Sequence, residues 1–182
     1  MKVIVYNAHD GGVDFCRPSI KMLSIMCNGG FDLWQMQPKG FADRQIASMV
    51  ARGIDERVAH RYAITMLRGG CTTAEALEII RDRDCTPRGT AIELWGEDDL
   101  PTDRWFRLAW HRSHNGGPIS INLKKAKTVQ MRRIGNAVIE ENKKRERELI
   151  APLEYDRDLL RGKIMQARDE IELRSIWPKE LQ

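Results

Sequence analysis

A chain of 182 residues with 30 lysines and arginines against 26 acids, net charge +4, suits one domain or a small domain carrying a helical appendage. Its 42% hydrophobic residues suffice for a real core, while 31% charged residues and a mean hydropathy of -0.49 read as a soluble protein with much exposed helix. No apolar run approaches a membrane span, and the mild positive charge permits an acidic partner without demanding one.

The opening MKVIVYNAHDGG has no long apolar stretch and no cleavage site, which predicts a protein made and kept in a cytoplasm. Residues 2–6 and 13–17 are strand-like and flank a turn in which Asp10 and Gly11 supply the positive φ of a tight hairpin. Pro18 stops the second strand. A short helix follows, with Ser19 as N-cap and Asn28–Gly29 as its end.

Residues 41–84 read as helical. One helix ends at Gly53, and a second starts from Asp55 and ends at Gly69–Gly70. A third opens with a capping box, Thr72 to Glu75, and buries Ala76, Leu77 and Ile80 on one face. Cys16, Cys27, Cys71 and Cys85 match no metal or redox spacing, and read as small apolar residues in a reducing compartment rather than as a disulfide framework.

Strand character returns at 89–95, where Ile92 and Leu94 alternate with Ala91 and Glu93. The densest stretch, EDDLPTDRWFRLAWHRSHNGG at 97–117, reads as a capped helix. Pro101 sets its start, Thr102 caps it, and Asp103 sits where the helix dipole favours an acid. Trp105, Phe106, Ala109 and Trp110 would share one face, with Arg104, Arg107 and His111 on another. Such an aromatic face predicts a core anchor rather than a base-stacking platform. Ile119, Ile121 and Leu123 then mark a half-buried strand at 118–123.

From Lys124 the sequence is helix-rich to its end. Residues 140–148 contain no apolar side chain, but Glu140/Lys144 and Glu141/Arg145 form favourable pairs, so this run is expected to project from the body or bridge between bodies. Pro152 should kink or restart the helix. Beyond the charged run Ile150, Leu153, Leu160, Ile164 and Ile171 follow a heptad-like seam interrupted by Arg157. That seam suits either pairing with another helix or lying back on its own domain.

No phosphate loop, nucleophile elbow or metal-binding motif is present, so the residues predict no catalytic group, no cofactor and no metal. His111 and His114 could share a helix face, but Asp98, Asp99 and Cys85 are the only further ligands to suggest. Residues 41–68 resemble a helix-turn-helix in outline, with Ala47 and Ile54 inside and Glu56, Arg57, His60, Arg61 and Arg68 outside. The basic run 124–133 could touch phosphates. Helical hairpins and solvated basic faces are common packing features, so nucleic acid is not the expected partner.

Two separated stretches carry a resemblance. DRDCTPRGTAIELWGEDDLPTDRWFRLAW is similar to a segment of uncharacterised bacteriophage and prophage proteins with the pattern D-[LI]-P-[ST]-D-R-x-F-R-x-A-W, matched here by Asp99, Leu100, Pro101, Thr102, Asp103, Arg104, Phe106, Arg107, Ala109 and Trp110. Those proteins begin with a strand hairpin and end in a helix with a W-P tail, which ELRSIWPKELQ resembles at Trp177, Pro178 and Leu181. The tail is also similar to that of phage tail-fibre assembly and tail-assembly chaperone proteins. The resemblance covers about 1–17 and 83–182. Residues 28–84 are longer and more helical than the family's usual link, as an inserted module would be.

These readings together predict an α+β fold: a small antiparallel sheet, made of the N-terminal hairpin and strands near 90–95 and 118–123, with helices and a long helical C-terminal arm. The expected division is a head at 1–118, with a helical insertion at about 41–84, and an arm at 119–182. Leu100, Pro101, Trp105, Phe106, Trp110 and Trp177 are the expected structural anchors, and Ile150, Leu153, Leu160, Ile164 and Ile171 the candidate interaction seam. The resemblance implies a non-enzymatic virion component of the tail or tail-fibre attachment region, assembled in the bacterial host cytoplasm. Its expected partners are other phage tail, fibre or connector proteins and further copies of itself, with no membrane partner. An assembly chaperone that leaves the finished particle and a DNA-binding regulator using 41–68 are the alternatives.

Overall fold

The computed structural model describes residues 1–29 and 40–181. Strands β1 (Lys2–Ala8) and β2 (Val13–Cys16) form the expected hairpin, with Ile4 opposite Cys16 and Asn7 opposite Val13. β3 (Gly89–Gly96) adds antiparallel to the other edge of β1, giving the order β2-β1-β3. Four consecutive β1 residues, Val3 to Tyr6, are buried, so the central strand is covered on both faces. Between Val5 and Asn7 the pairing with β3 slips, and Ala91 there adopts φ 49°, a bulge that breaks the alternation expected of 89–95. Leu94 is 49% exposed as a result, while Ile92 packs inward.

Helices α1 (Ile20–Asn28), α2 (Phe41–Ala51), α3 (Glu56–Arg68) and α4 (Thr73–Ile80) follow the expected punctuation. Asp55 caps α3 by accepting from the backbone of Arg57 and Val58. Thr72 and Glu75 form the reciprocal capping box of α4. A single π-type turn, Arg81–Cys85, extends α4 and delivers the chain to β3. Met26, Met49, Tyr62, Met66, Ile79 and Cys85 pack with Ile4 and Tyr6 in one core. Gly69 is required where α1 and α3 end together. Its φ is +67°, and a Cβ there would lie 2.0 Å from the backbone nitrogen of Gly29.

The chain divides into two compact units: Met1–Leu100 with Ser113–Gly117, and Pro101–Arg112 with Pro118–Gln182. In the second unit the expected helix over the dense stretch does not form. The Asp103 carboxylate accepts the Trp105 backbone N–H at 2.8 Å, a local turn that competes with helix. One 3-10 turn at Arg107–Ala109 follows, and residues Trp110–Ser113 become strand β4, paired with β5 (Gly116–Ile121) in a separate two-stranded sheet. The strand expected at 118–123 therefore exists, but it joins β4 and not the three-stranded sheet.

α5 (Leu123–Arg147) is capped by Asn122, whose side chain accepts from the Lys125 backbone at 3.0 Å. The expected restart near Pro152 is a connector, 148–156, before α6 (Arg157–Gln166) and α7 (Glu170–Ser175). Leu153 in that connector is buried, and its N–H donates to the Asn142 side chain at 2.7 Å. The charged run is therefore not solvated on every side. Glu141 and Arg145 pair at 3.0 Å as expected, while Glu140 takes Lys143, at 2.8 Å, in place of Lys144.

Candidate interaction surface

The second unit is organised around Trp105. Its indole N–H donates to the Gln130 side-chain oxygen at 3.0 Å, and the Gln130 amide donates to the Ile176 carbonyl at 2.8 Å. Gln130 is completely buried, so both bonds matter: removing either would strand a polar group away from water. Trp177 meets Trp105 edge to face, with centroids 6.0 Å apart. The guanidinium groups of Arg133 and Arg174 lie 4.5 and 5.2 Å from the Trp105 ring. Arg174 also pairs with Asp103. The Asp103 carboxyl is held below the usual carboxylate value, first by the Trp105 N–H it accepts and then by Arg174.

The anchors expected from sequence thus divide. Phe106 and Trp110 are buried in the second unit, Trp105, Pro101 and Trp177 are half-buried there, and Leu100 is buried in the first unit. Phe106 packs with Ala126, Val129, Ile134, Val138, Ile164 and Leu173 in a core of its own. Trp105 and Phe106 reach it from a turn, and not from one helix face.

Outside that core α5 and α6 leave an apolar groove of about 550 Å³. Met131, Ile134, Val138, Ile139, Leu160 and Ile164 line it, and Arg132, Arg157 and Arg161 stand exposed at its border. Ile139 is 54% exposed and also lines a second hollow, where Asn142, Lys143 and Glu146 of α5 separate it from Leu149, Ile150 and Pro152 of the connector. Of the expected seam, Leu153, Leu160 and Ile164 turn into the unit's own core, while Ile150 and Ile171 remain exposed. Ile150 and Leu153 lie in the connector, so the five residues do not form one continuous helical stripe. No local spacing marks the groove itself, because its walls come from two helices that meet only after folding.

The other candidate residues fall apart in space. Among the described residues no three of His, Cys, Asp and Glu gather as a metal site. In the helical hairpin of α2 and α3, Ile54 is half-buried but Ala47 is exposed, which corrects its expected place inside. Arg61 lies 3.9 Å from Glu78 and His60 3.8 Å from Glu56, so acids interleave the bases of the would-be recognition face. In the basic run Lys127 donates to the Met165 carbonyl at 2.7 Å, at the end of α6, and Arg133 is engaged by Trp105. Both charges serve the unit's own packing. Among the described residues no helix is long and apolar enough to cross a membrane.

No family model matches the chain, and neither a curated protein nor a solved structure does.

Proposed function

We propose that the chain is a non-enzymatic bacteriophage structural protein, a virion component of the tail or tail-fibre attachment region that works by protein–protein contact. The observation that carries the contact role is the apolar groove of α5 and α6, whose walls include Met131 and Ile139, both exposed. Exposed apolar residues gathered in a groove on a folded unit make a surface for a partner. Its shape suits a helix laid into the groove, and the arginines at its border favour a partner acidic at its edges. The phage setting rests on the Leu100–Trp110 motif and the Trp177–Pro178 tail.

Mass spectrometry of purified particles tests the reading, which expects the protein at a fixed ratio to tail proteins. Its absence from finished particles, with presence in assembling intermediates, would overturn the virion role in favour of an assembly chaperone. The regulator reading has less support, since Arg61 and His60 already face acids.

A further inference from the structure

The first unit has a pocket of its own, about 460 Å³, a size that takes a small molecule. Arg52, Arg83 and Arg88 line it, and among the described lining residues Asp84 is the one acid, so two positive charges are left over. Met22, Met49, Ile54 and Tyr62 give the same pocket an apolar side.

Helices α1, α2 and α3 supply Met22, Met49 and Tyr62, and the π-type turn Arg81–Cys85 supplies Arg83 and Asp84. The Thr86 N–H donates to the Arg81 carbonyl at 3.0 Å, five residues back, in place of the four of an α-helix. Such turns are rare and are found frequently at functional sites. This one delivers a fixed cation. The Arg83 guanidinium lies 4.0 Å from the Tyr62 ring, and Asp84 accepts from it twice, at 2.7 and 2.6 Å. The Arg83 side chain is 16% exposed. The Tyr62 hydroxyl donates to the Met22 sulfur at 3.4 Å, so the ring is held as well.

Arg52 and Arg88 differ from Arg83. Both are exposed, and among the described residues neither has an acid within ion-pair distance. Arg52 commits its Nε to the Ser48 carbonyl at 3.2 Å, which leaves its terminal nitrogens for a ligand. The Arg88 backbone is tied on both sides, its N–H to the Cys85 carbonyl at 2.9 Å and its carbonyl to the His9 N–H at 3.2 Å. Its side chain therefore leaves from a fixed point in the pocket wall. Cations gathered in one pocket repel each other, and a bound anion relieves that repulsion.

We propose that this pocket binds a small organic phosphate, a phosphate monoester carrying an apolar group. A monoester is close to a dianion at neutral pH, which matches the two uncompensated charges. Its oxygens accept from Arg52 and Arg88, because a guanidinium presents a planar fork that fits phosphate. Arg83, whose fork is taken by Asp84, acts through its charge. The apolar group lies against Met49 and Ile54, out of water. The pocket belongs to the first unit and the groove to the second, so the inference stands apart from the tail role.

Phenyl phosphate is the probe, with phenyl sulfate, inorganic phosphate and phenol as controls. Titration calorimetry at low salt should show one phenyl phosphate per chain with a Kd below about 1 mM. Phenyl sulfate has less charge, inorganic phosphate has no ring and phenol has no charge, so each should bind at least about threefold more weakly. Arg52→Gln combined with Arg88→Gln should weaken phenyl phosphate at least about tenfold. Both positions are exposed, so the melting temperature should stay within about 2 °C. Amide resonances moved by phenyl phosphate should gather at 45–54, 62 and 83–88. No binding by about 10 mM, an unchanged affinity in the double variant, or equal affinity for any control would each overturn the proposal. So would shifts gathered at the basic run 124–133, since the anion would then be held by that run's charge.

Discussion

The two units bury their apolar surface by different means. The first closes a sheet and helices α1 to α4 around Ile4, Tyr6, Met26 and Met66, and exposed large apolar residues among those described, such as Ile20, Ile64 and Leu94, lie on separate elements. The second gathers a smaller core around Phe106, ties it with hydrogen bonds through Gln130, and leaves Met131 and Ile139 exposed in one apolar strip along the groove. Scattered exposed apolar residues need no explanation, but a strip does. The contrast teaches that the second unit's apolar share is divided between holding itself together and presenting a surface.

The strongest way to break the contrast is Phe106→Ala. Phe106 is 1% exposed within the second core, so its removal should cost about 3–5 kcal/mol. Hydrogen exchange read segment by segment should show the lost protection over 123–147, 157–166 and 170–175. Equal loss over β1 and α4 would mean that the two cores are energetically one.

In the first unit the matching change is Gly69→Ala. The new Cβ would meet the Gly29 nitrogen at 2.0 Å from a backbone with φ +67°, so α1 or α3 must shift. The expected cost is about 2 kcal/mol, measured by urea unfolding. A neutral result would mean that the approach of the two helix ends is loose.

Local chemistry was the legible part of this sequence. The Asp10–Gly11 turn, the Asp55 cap and the Thr72–Glu75 box each act within a few residues, and each is found where its residues stand. The Trp105-to-Trp110 spacing was legible too, but it fits two structures. It satisfies a helix face, and Trp110 with Arg112 also satisfies the buried positions of a strand. The Asp103 turn and the pairing of β4 with β5 decide for the strand, and the second of these depends on residues further along the chain. Distance along the chain likewise hid the burial of Leu153 and Ile164 under α5 and the groove beside them. Each is made by segments that meet only after folding.

The finest test of the contrast is Ile139→Glu, because it separates holding from presenting. Ile139 sits on α5 with 54% of its surface exposed, so a charged side chain there can reach water without entering the core. Helix propensity changes little between isoleucine and glutamate, and the expected change in stability is within about 0.5 kcal/mol. In the groove the same change sets a carboxylate among Met131, Val138 and Leu160, where a docked apolar partner would have to desolvate it. Under the proposed tail role, incorporation into particles should therefore fall at least about tenfold while urea unfolding stays unchanged. A loss of stability as large as that of Phe106→Ala would place Ile139 in the holding part of the unit. Unchanged incorporation would mean that the partner contacts this protein elsewhere, and the strip would have to be explained without it.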